Sequence, residues 1–348
     1  MKSRYTLLIG TGGIGAGSFF ALNGDHTLGR EESRSGRYVD RRDYCKLHII
    51  AQTTRQIAGE GLHVVPIGAV GDDAAGRDLL EEMLAHGLDI RHVRRDAGRP
   101  TLRCLCLMYP DGSGGNLTVD DSASAQVSPE AVFESAVEFA KYREEGIALA
   151  VPEVPLAARV ALLDWAGAQG FFRVASFTSA EMKDVRERGL MELVDHLAIN
   201  LDEGSLWLGE HTDALPWEET SARVLDRLRA DHPFLGVSLT CGANGSWTVD
   251  AHSRQHLPAL PVSPVSAAGA GDAHLSGILA GLAAGMSLSE AHYLGRLAGA
   301  FSVLSPHTIA PGIGRQTLLQ LGQKADAKLP ENVFHYLTTS KKDLSLCP

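Results

Sequence analysis

The chain has 348 residues, 44% of them apolar and 21% charged, a balance that excludes disordered, collagen-like and coiled-coil architectures. Thirty-two Lys and Arg stand against 42 Asp and Glu, a net charge of −10. That argues against non-specific binding to nucleic acid or anionic membranes, because phosphate contacts dominate such affinity.

In chain order, Leu7–Ile9 reads as the first strand, and the apolar run is too short for a signal peptide. It leads into Gly10-Thr11-Gly12-Gly13-Ile14-Gly15, which satisfies the Gly-x-Gly-x-x-Gly fingerprint of dinucleotide sites. With Glu31 or Glu32 roughly twenty residues on, that pattern makes an NAD- or FAD-dependent enzyme a rival class. The intervening Gly24–Arg30 stretch is loop-like, however, and Asn23 to Asp43 as a whole is polar and turn-rich.

Val64–Ile67 is the next strand. Leu79, Leu80, Met83 and Leu84 then recur at helical spacing after Gly76, with Gly87 as the stop. Thr101 to Val119 reads as a hairpin around Pro110-Asp111-Gly112-Ser113-Gly114. Further strands are expected at Ile147–Val151, Phe171–Ala175, His196–Ile199, Gly236–Leu239 and Trp247–Val249. Val160, Leu162, Leu163 and Trp165 mark one helix between them, and Val224, Leu225 and Leu228 another. Strand–helix alternation of this kind predicts a three-layer α/β/α domain with a mostly parallel sheet. The expected organisation is one domain over residues 1–330, with small β-lid segments at about 15–46 and 101–119, and a peripheral tail over 331–348. Such a lid would sit near the carboxyl ends of the strands, where α/β proteins bind ligands.

The uncharged stretch Ala273 to Ser289 contains His274, Ser276 and three glycines, and reads as a packed core helix rather than a membrane span. The five cysteines are odd in number and scattered. Cys104 and Cys106 point the same way along a strand without forming a Cys-x-x-Cys pair. Reduced thiols of a cytoplasmic protein are the expected state.

Chemistry concentrates in Ser266-Ala267-Ala268-Gly269-Ala270-Gly271-Asp272 at the start of that helix. Small residues let the backbone approach a ligand, and a helix amino terminus offers free N–H groups and a positive dipole end. Such a turn can stabilise a transferring phosphoryl group, with Asp272 as general base. On spacing alone, Asp272 is equally readable as an N-cap and the glycines as packing residues.

The turn also resembles that of the ribokinase (PfkB) family of carbohydrate kinases, whose Gly-Ala-Gly-Asp stands here as Gly269-Ala270-Gly271-Asp272. Three further segments are similar in order and spacing: Ile67-Gly68-Ala69-Val70-Gly71-Asp72-Asp73 with Gly87-Leu88-Asp89, Asn200-Leu201-Asp202-Glu203, and Thr240-Cys241-Gly242-Ala243-Asn244-Gly245. The resemblance covers about residues 60 to 310. It implies phosphorylation of a hydroxyl on a sugar or sugar-like molecule, dependent on ATP and Mg²⁺. Asp272 would be the base, and the Gly269, Ala270 and Gly271 amides would neutralise the transferring group. Asn200 and Glu203 would help place nucleotide and magnesium, Glu203 as the metal carboxylate. Thr240, Gly242 and Gly245 would line the nucleotide, and Gly12, Gly13, Asp25 and Gln52 the substrate. Pairing of two copies through their lids is implied as well. Read without the resemblance, Asn200 to Glu203 is a capped helix start and the glycine turn a plain hairpin.

Departures from the family pattern are specific. Ser266-Ala267 replace its Asp-Thr, and His274 replaces a Phe, reading as a packed helix histidine. Leu47-His48-Ile49-Ile50-Ala51-Gln52 replaces its Gly-Gly-x-x-x-Asn. Asp25, His26, Arg30, Glu31, Glu32, Arg34 and Lys46 are then candidate substrate contacts, or members of a solvated loop. A non-catalytic relative that binds a nucleotide or metabolite is the second reading. The P-loop, His-Glu-x-x-His and Gly-x-Ser-x-Gly patterns are all absent.

Overall fold

Strand β1 (Leu7–Thr11) is buried at every position. It lies between β4 (His63–Gly71) and β8 (Gly146–Ala150), parallel to both. A strand covered on both faces needs a continuous apolar run, which Leu7, Leu8 and Ile9 supply. The computed structural model describes residues 3–110, 114–209 and 215–339.

Around β1 the described residues form a nine-stranded sheet. It adds β5 (Val93–Asp96), β9 (Phe172–Ala175), β10 (His196–Asn200), β11 (Gly236–Thr240), β12 (Ser246–Val249) and β13 (Arg254–Leu257). The order is β13-β12-β11-β10-β9-β8-β1-β4-β5, parallel from β11 to β5, with β12 and β13 antiparallel at one edge. One face packs under helices Lys46–Ala58, Ala270–Ala283 and Leu288–Ser302, whose Ile50, Ile278 and Leu294 share one core. The other face carries helices Leu156–Ala168 and Trp217–Asp231, with Leu162 and Val224 in a second core. The expected three-layer architecture is thus met, as is the packed helix after residue 270. Helices Ala270–Ala283 and Leu288–Ser302 touch so closely that a Cβ on Gly277 would stand 2.4 Å from the Leu294 carbonyl oxygen. The edge strands β5 and β13 were not foreseen. Their sequences, Val-Arg-Arg-Asp and Arg-Gln-His-Leu, carry the charge expected of strands exposed at an edge and no apolar pattern.

After Gly15 the chain enters a second sheet rather than a helix. Strands β2 (Gly15–Leu22), β3 (Gly36–Tyr44), β6 (Leu102–Met108) and β7 (Gly114–Thr118) pair in the order β3-β2-β6-β7, with β2 and β6 parallel. The dinucleotide fingerprint therefore lacks the helix amino terminus that would hold a pyrophosphate. Its glycines serve close approach instead: a Cβ on Gly12 would lie 2.4 Å from Val151 Cγ2, and one on Gly13 the same distance from Glu153 Cβ. Strands β6 and β7 are antiparallel, as the expected hairpin requires, while Asp111 to Ser113 of its turn lie outside the described residues.

Two anchors fasten this small sheet to the large one. Asp73 caps helix Ala74–Ala85 by accepting the Gly76 amide at 2.8 Å, and the same carboxylate accepts the Thr101 amide and hydroxyl at 2.9 and 2.7 Å. At the other corner, the Tyr44 amide donates to Thr308 Oγ1 at 3.0 Å and the Thr308 amide to the Arg42 carbonyl at 3.1 Å.

The tail expected to be peripheral from residue 331 is corrected over its first turns. Helix Glu331–Thr338 buries Val333, Tyr336 and Leu337 in the first core, and Tyr336 donates to the Ile57 carbonyl at 3.2 Å. Eight residues of i, i+3, i+4 spacing among polar neighbours gave too short a signal to separate from a solvated tail. Residues 340–348 lie outside the described residues. Because Leu337 is 4% exposed, Leu337→Ala is expected to destabilise the fold by about 2–5 kcal/mol, measured by urea denaturation. A change within error would mean that the helix is only loosely docked. No helix among the described residues is long and apolar enough to cross a membrane.

Candidate active site

The carboxyl ends of β1, β8, β10 and β11 and the amino end of helix Ala270–Ala283 meet at one edge of the large sheet. Gly269 takes φ +76°, the left-handed conformation that favours glycine, and a Cβ there would stand 2.9 Å from the Thr308 carbonyl oxygen. This turns the chain so that Ala270, Gly271 and Asp272 form the first helical turn, whose amides have no partner within the helix. Gly271 is exposed, with Thr240 Oγ1 3.9 Å from where its Cβ would be. The glycine turn after β11 and the anion turn are therefore neighbours, although they are far apart in sequence.

Asp272 is partly buried, and its Oδ1 lies 3.7 Å from Lys46 Nζ at the start of helix Lys46–Ala58. Burial raises the Asp272 carboxyl above its ordinary range, and Lys46 acts to lower it. The Lys46 ammonium is in turn held charged, first by Asp272 and then by Glu203 and Glu153. One cation thus pairs with Asp272 and feels the charge of two further carboxylates.

Glu203 reaches this cluster from the opening turn of helix Leu201–Leu208. Asn200 Oδ1 accepts the Glu203 amide at 2.8 Å and Glu203 Oε2 accepts the Asn200 amide at 3.0 Å. The capped-helix reading of Asn200 to Glu203 is therefore correct as local structure, worth about 1 kcal/mol. The same side chain is only 8% exposed, and burial raises its carboxyl, with Lys46 opposing. Capping fixes one carboxylate oxygen while the group stays within the reach of the Lys46 charge, so structure and site use the same residue.

Glu153 was not singled out in the sequence. It follows β8, holds φ +76°, unusual for a residue with a Cβ, and accepts the Lys46 amide through Oε2 at 3.1 Å. Burial pushes its carboxyl up to about 7. A signal was available, since a lone carboxylate just past the carboxyl end of a parallel strand stands where α/β proteins bind ligands. The raised value carries a sign. The folded chain keeps a proton that the unfolded chain releases at the ordinary 4.5, so this group favours folding at low pH. That contribution fades as pH rises from about 4.5 to 7. Glu153→Gln is expected to remove this component, flattening the decline of melting temperature over that window; an unchanged profile would place the proton elsewhere.

The remaining expected residues divide. Gly12 and Gly13 lie at the end of β1, against Val151 and Glu153. Gly242 and Gly245, with φ +56° and +93°, shape the turn between β11 and β12, so the plain-hairpin reading also describes it correctly. A Cβ on Gly245 would meet the Leu257 carbonyl at 2.1 Å. Gln52 is not brought to the cluster: it is 2% exposed and its Oε1 pairs with His48 Nε2 at 2.9 Å. A lysine, Lys46, has entered the site nearly two turns earlier on the same helix. Asp25 is not brought there either, since its exposed side chain pairs with His26 at 2.9 Å on the loop after β2. His274 is a core histidine, hydrogen-bonded to Ser246 Oγ at 3.0 Å and lowered to about 4 by burial. Ser266 makes a local turn by accepting the Ala268 amide at 3.3 Å.

Residues 53–313 match the profile described as pfkB family carbohydrate kinase. The chain is 28% identical over 273 residues to acarbose 7(IV)-phosphotransferase of an Actinoplanes species, covering 75% of this chain and 81% of that protein. Its fold is similar to a ribokinase from Cryptococcus neoformans var. grubii in complex with ADP, at TM-score 0.74 and 22% identity, covering 93% of this chain and 100% of that one. It is also similar to a ribokinase from Thermotoga maritima, at TM-score 0.71 and 19% identity, covering 92% and 100%.

Proposed function

Because the chain belongs to the pfkB family of carbohydrate kinases, we propose that it transfers the terminal phosphoryl group of ATP to a hydroxyl of a sugar-like acceptor, with Asp272 as general base. The observation that carries this is the placement of Asp272 on the first turn of helix Ala270–Ala283, paired with Lys46 and next to Gly271, whose Cβ position lies 3.9 Å from Thr240 Oγ1.

Asp272 accepts the proton of the acceptor hydroxyl as its oxygen attacks the γ-phosphorus. The bond from phosphorus to the bridging oxygen breaks and ADP leaves. The Ala270 amide donates to the Ala267 carbonyl at 3.2 Å, so the amides of Gly269 and Gly271 are the ones left to face the charge that develops on the transferring group. Glu153, next to Gly13 and the Lys46 amide, is suited to hold a second hydroxyl of the acceptor. Thr240 and the turn to Gly245 line the nucleotide side.

The donor set fits magnesium. Glu203 is a hard oxygen ligand, with one oxygen committed to its cap and one to offer, in a buried place where a cation would offset the cost of its charge. When bound there, the ion would neutralise phosphate charge.

The free thiols Cys45, Cys104, Cys106 and Cys241 support a cytoplasmic setting. Tyr38 and Leu117, exposed on the small sheet, support pairing of two copies through it.

The test measures ADP formed from ATP and Mg²⁺ across sugars, sugar acids, polyols and nucleosides. Acceptor-dependent turnover supports the reading and names the substrate class. Tight ATP binding without turnover on any acceptor would favour the binding-only relative.

A further inference from the structure

The described residues contain one thiol–carboxylate cluster beyond the carboxylates gathered around Lys46. We propose that Asp43, Cys104 and Cys106 form a binding site for a thiophilic divalent cation of the Zn²⁺ class on the small sheet.

The register of that sheet builds the cluster. Gly17 on the middle strand β2 pairs with Asp43 on β3 and with Cys104 on β6. Directly paired residues share a face, and Cys106, two residues on, shares it too. Gly17 has no side chain, so its neighbours lean over it: a Cβ there would lie 2.4 Å from Cys104 Sγ and 2.5 Å from Asp43 Oδ2. Asp43 Oδ2 stands 3.2 Å from Cys104 Sγ and 3.0 Å from Cys106 Sγ, and the three ligand atoms lie within 4.8 Å of one another.

Those distances suit a tetrahedral ion. Zn–S and Zn–O bonds of about 2.3 and 2.0 Å place tetrahedral ligand atoms roughly 3.5–3.8 Å apart. Opening the cluster by a few tenths of an ångström would admit the ion, and the space over Gly17 is where the side chains can adjust. Without metal, both thiols donate to the Asp43 carboxylate. On binding, each thiol releases its proton to solvent, two sulfur–metal bonds and one oxygen–metal bond form, and the metal carries no redox change. Two thiolates select zinc over magnesium, which prefers oxygen ligands, so this site is chemically distinct from Glu203. Three protein ligands leave a fourth position for water.

The test uses the full chain without an affinity tag, stripped with a chelator and titrated with Co²⁺ and then Zn²⁺. The expected result is a single Co²⁺ per chain, with thiolate-to-metal charge-transfer and tetrahedral ligand-field absorption. Stoichiometric Zn²⁺ should abolish both bands, and excess Mg²⁺ should leave them unchanged. Cys104→Ser with Cys106→Ser should lose the spectrum, Gly17→Ala should weaken binding, and Cys347→Ser should retain it. Absence of the charge-transfer band in the wild-type chain overturns the proposal, whatever the variants do. So does a double variant that keeps the band while giving the wild-type circular dichroism spectrum.

Discussion

Asp272→Asn is expected to lower turnover by about 10²–10⁴ while leaving ATP affinity within a factor of a few, since losses of that size follow removal of a general base. The amide keeps the size of the side chain and its place on the first turn of helix Ala270–Ala283. What it lacks is the ability to accept the acceptor's proton. Rapid-mixing measurement of ADP release, with equilibrium nucleotide binding on the same sample, separates the two effects. Turnover equal to wild type would remove Asp272 from the mechanism, and a collapse of ATP binding would make it a structural residue. The N-cap reading of Asp272 does not hold, because Gly269 occupies the cap and Asp272 lies within the first turn.

Lys46→Met is expected to move the acidic limb of the kcat/KM profile to higher pH. Asp272 works as a base only when ionised. Burial raises its carboxyl, the Asp43 charge raises it further, and Lys46 at 3.7 Å opposes both. Glu203 and Glu153 face the same ammonium from two other elements, so its removal leaves a group of carboxylates with no cation among them. The proton on Asp272 is then lost only at higher pH, and activity below that point falls. Lys46→Arg, which keeps the charge, should restore most of the wild-type profile. Equal losses in the Met and Arg variants at every pH would show that Lys46 acts through shape rather than charge.

The parts of this site that could be read from the sequence are those made by one contiguous segment. Asn200 to Glu203 joins a strand end to a helix start, and Gly269 to Asp272 joins a turn to a helix start, so each motif lies within a few residues and the family resemblance could locate it. The alternatives of cap and ligand for Asn200 and Glu203 were not exclusive. The capping hydrogen bonds fix Glu203 within the reach of the Lys46 charge. Glu153 was missed because it sits in a short Pro-Glu-Val-Pro connection with no motif around it, and only the order of the strands brings it beside Gly13 and Lys46. Gln52 was expected at the substrate by register with an asparagine, but the helix turns its amide onto His48 in the core. The β5 and β13 edges were missed for a related reason, as a strand with one free side need not bury an apolar face. Glycines were ambiguous for the opposite reason. Gly10 to Gly15 match a fingerprint, yet the element that the chain enters after Gly15, strand or helix, decides whether they serve a ligand or close packing.

The anchoring of β3 has a mechanical consequence. Only Cys45 separates the end of β3 at Tyr44 from helix Lys46–Ala58, and Tyr44 and Arg42 are bonded to Thr308, which packs against Gly269. A connection one residue long leaves no slack for a hinge, so the small sheet cannot swing freely while the rest stands still. Any displacement of β3 is transmitted along the chain to the Lys46 ammonium and through Thr308 to the turn that carries Asp272. The base, its counter-charge and the cover over them are therefore geared together, and a movement that exposes the cleft also takes its chemistry out of alignment.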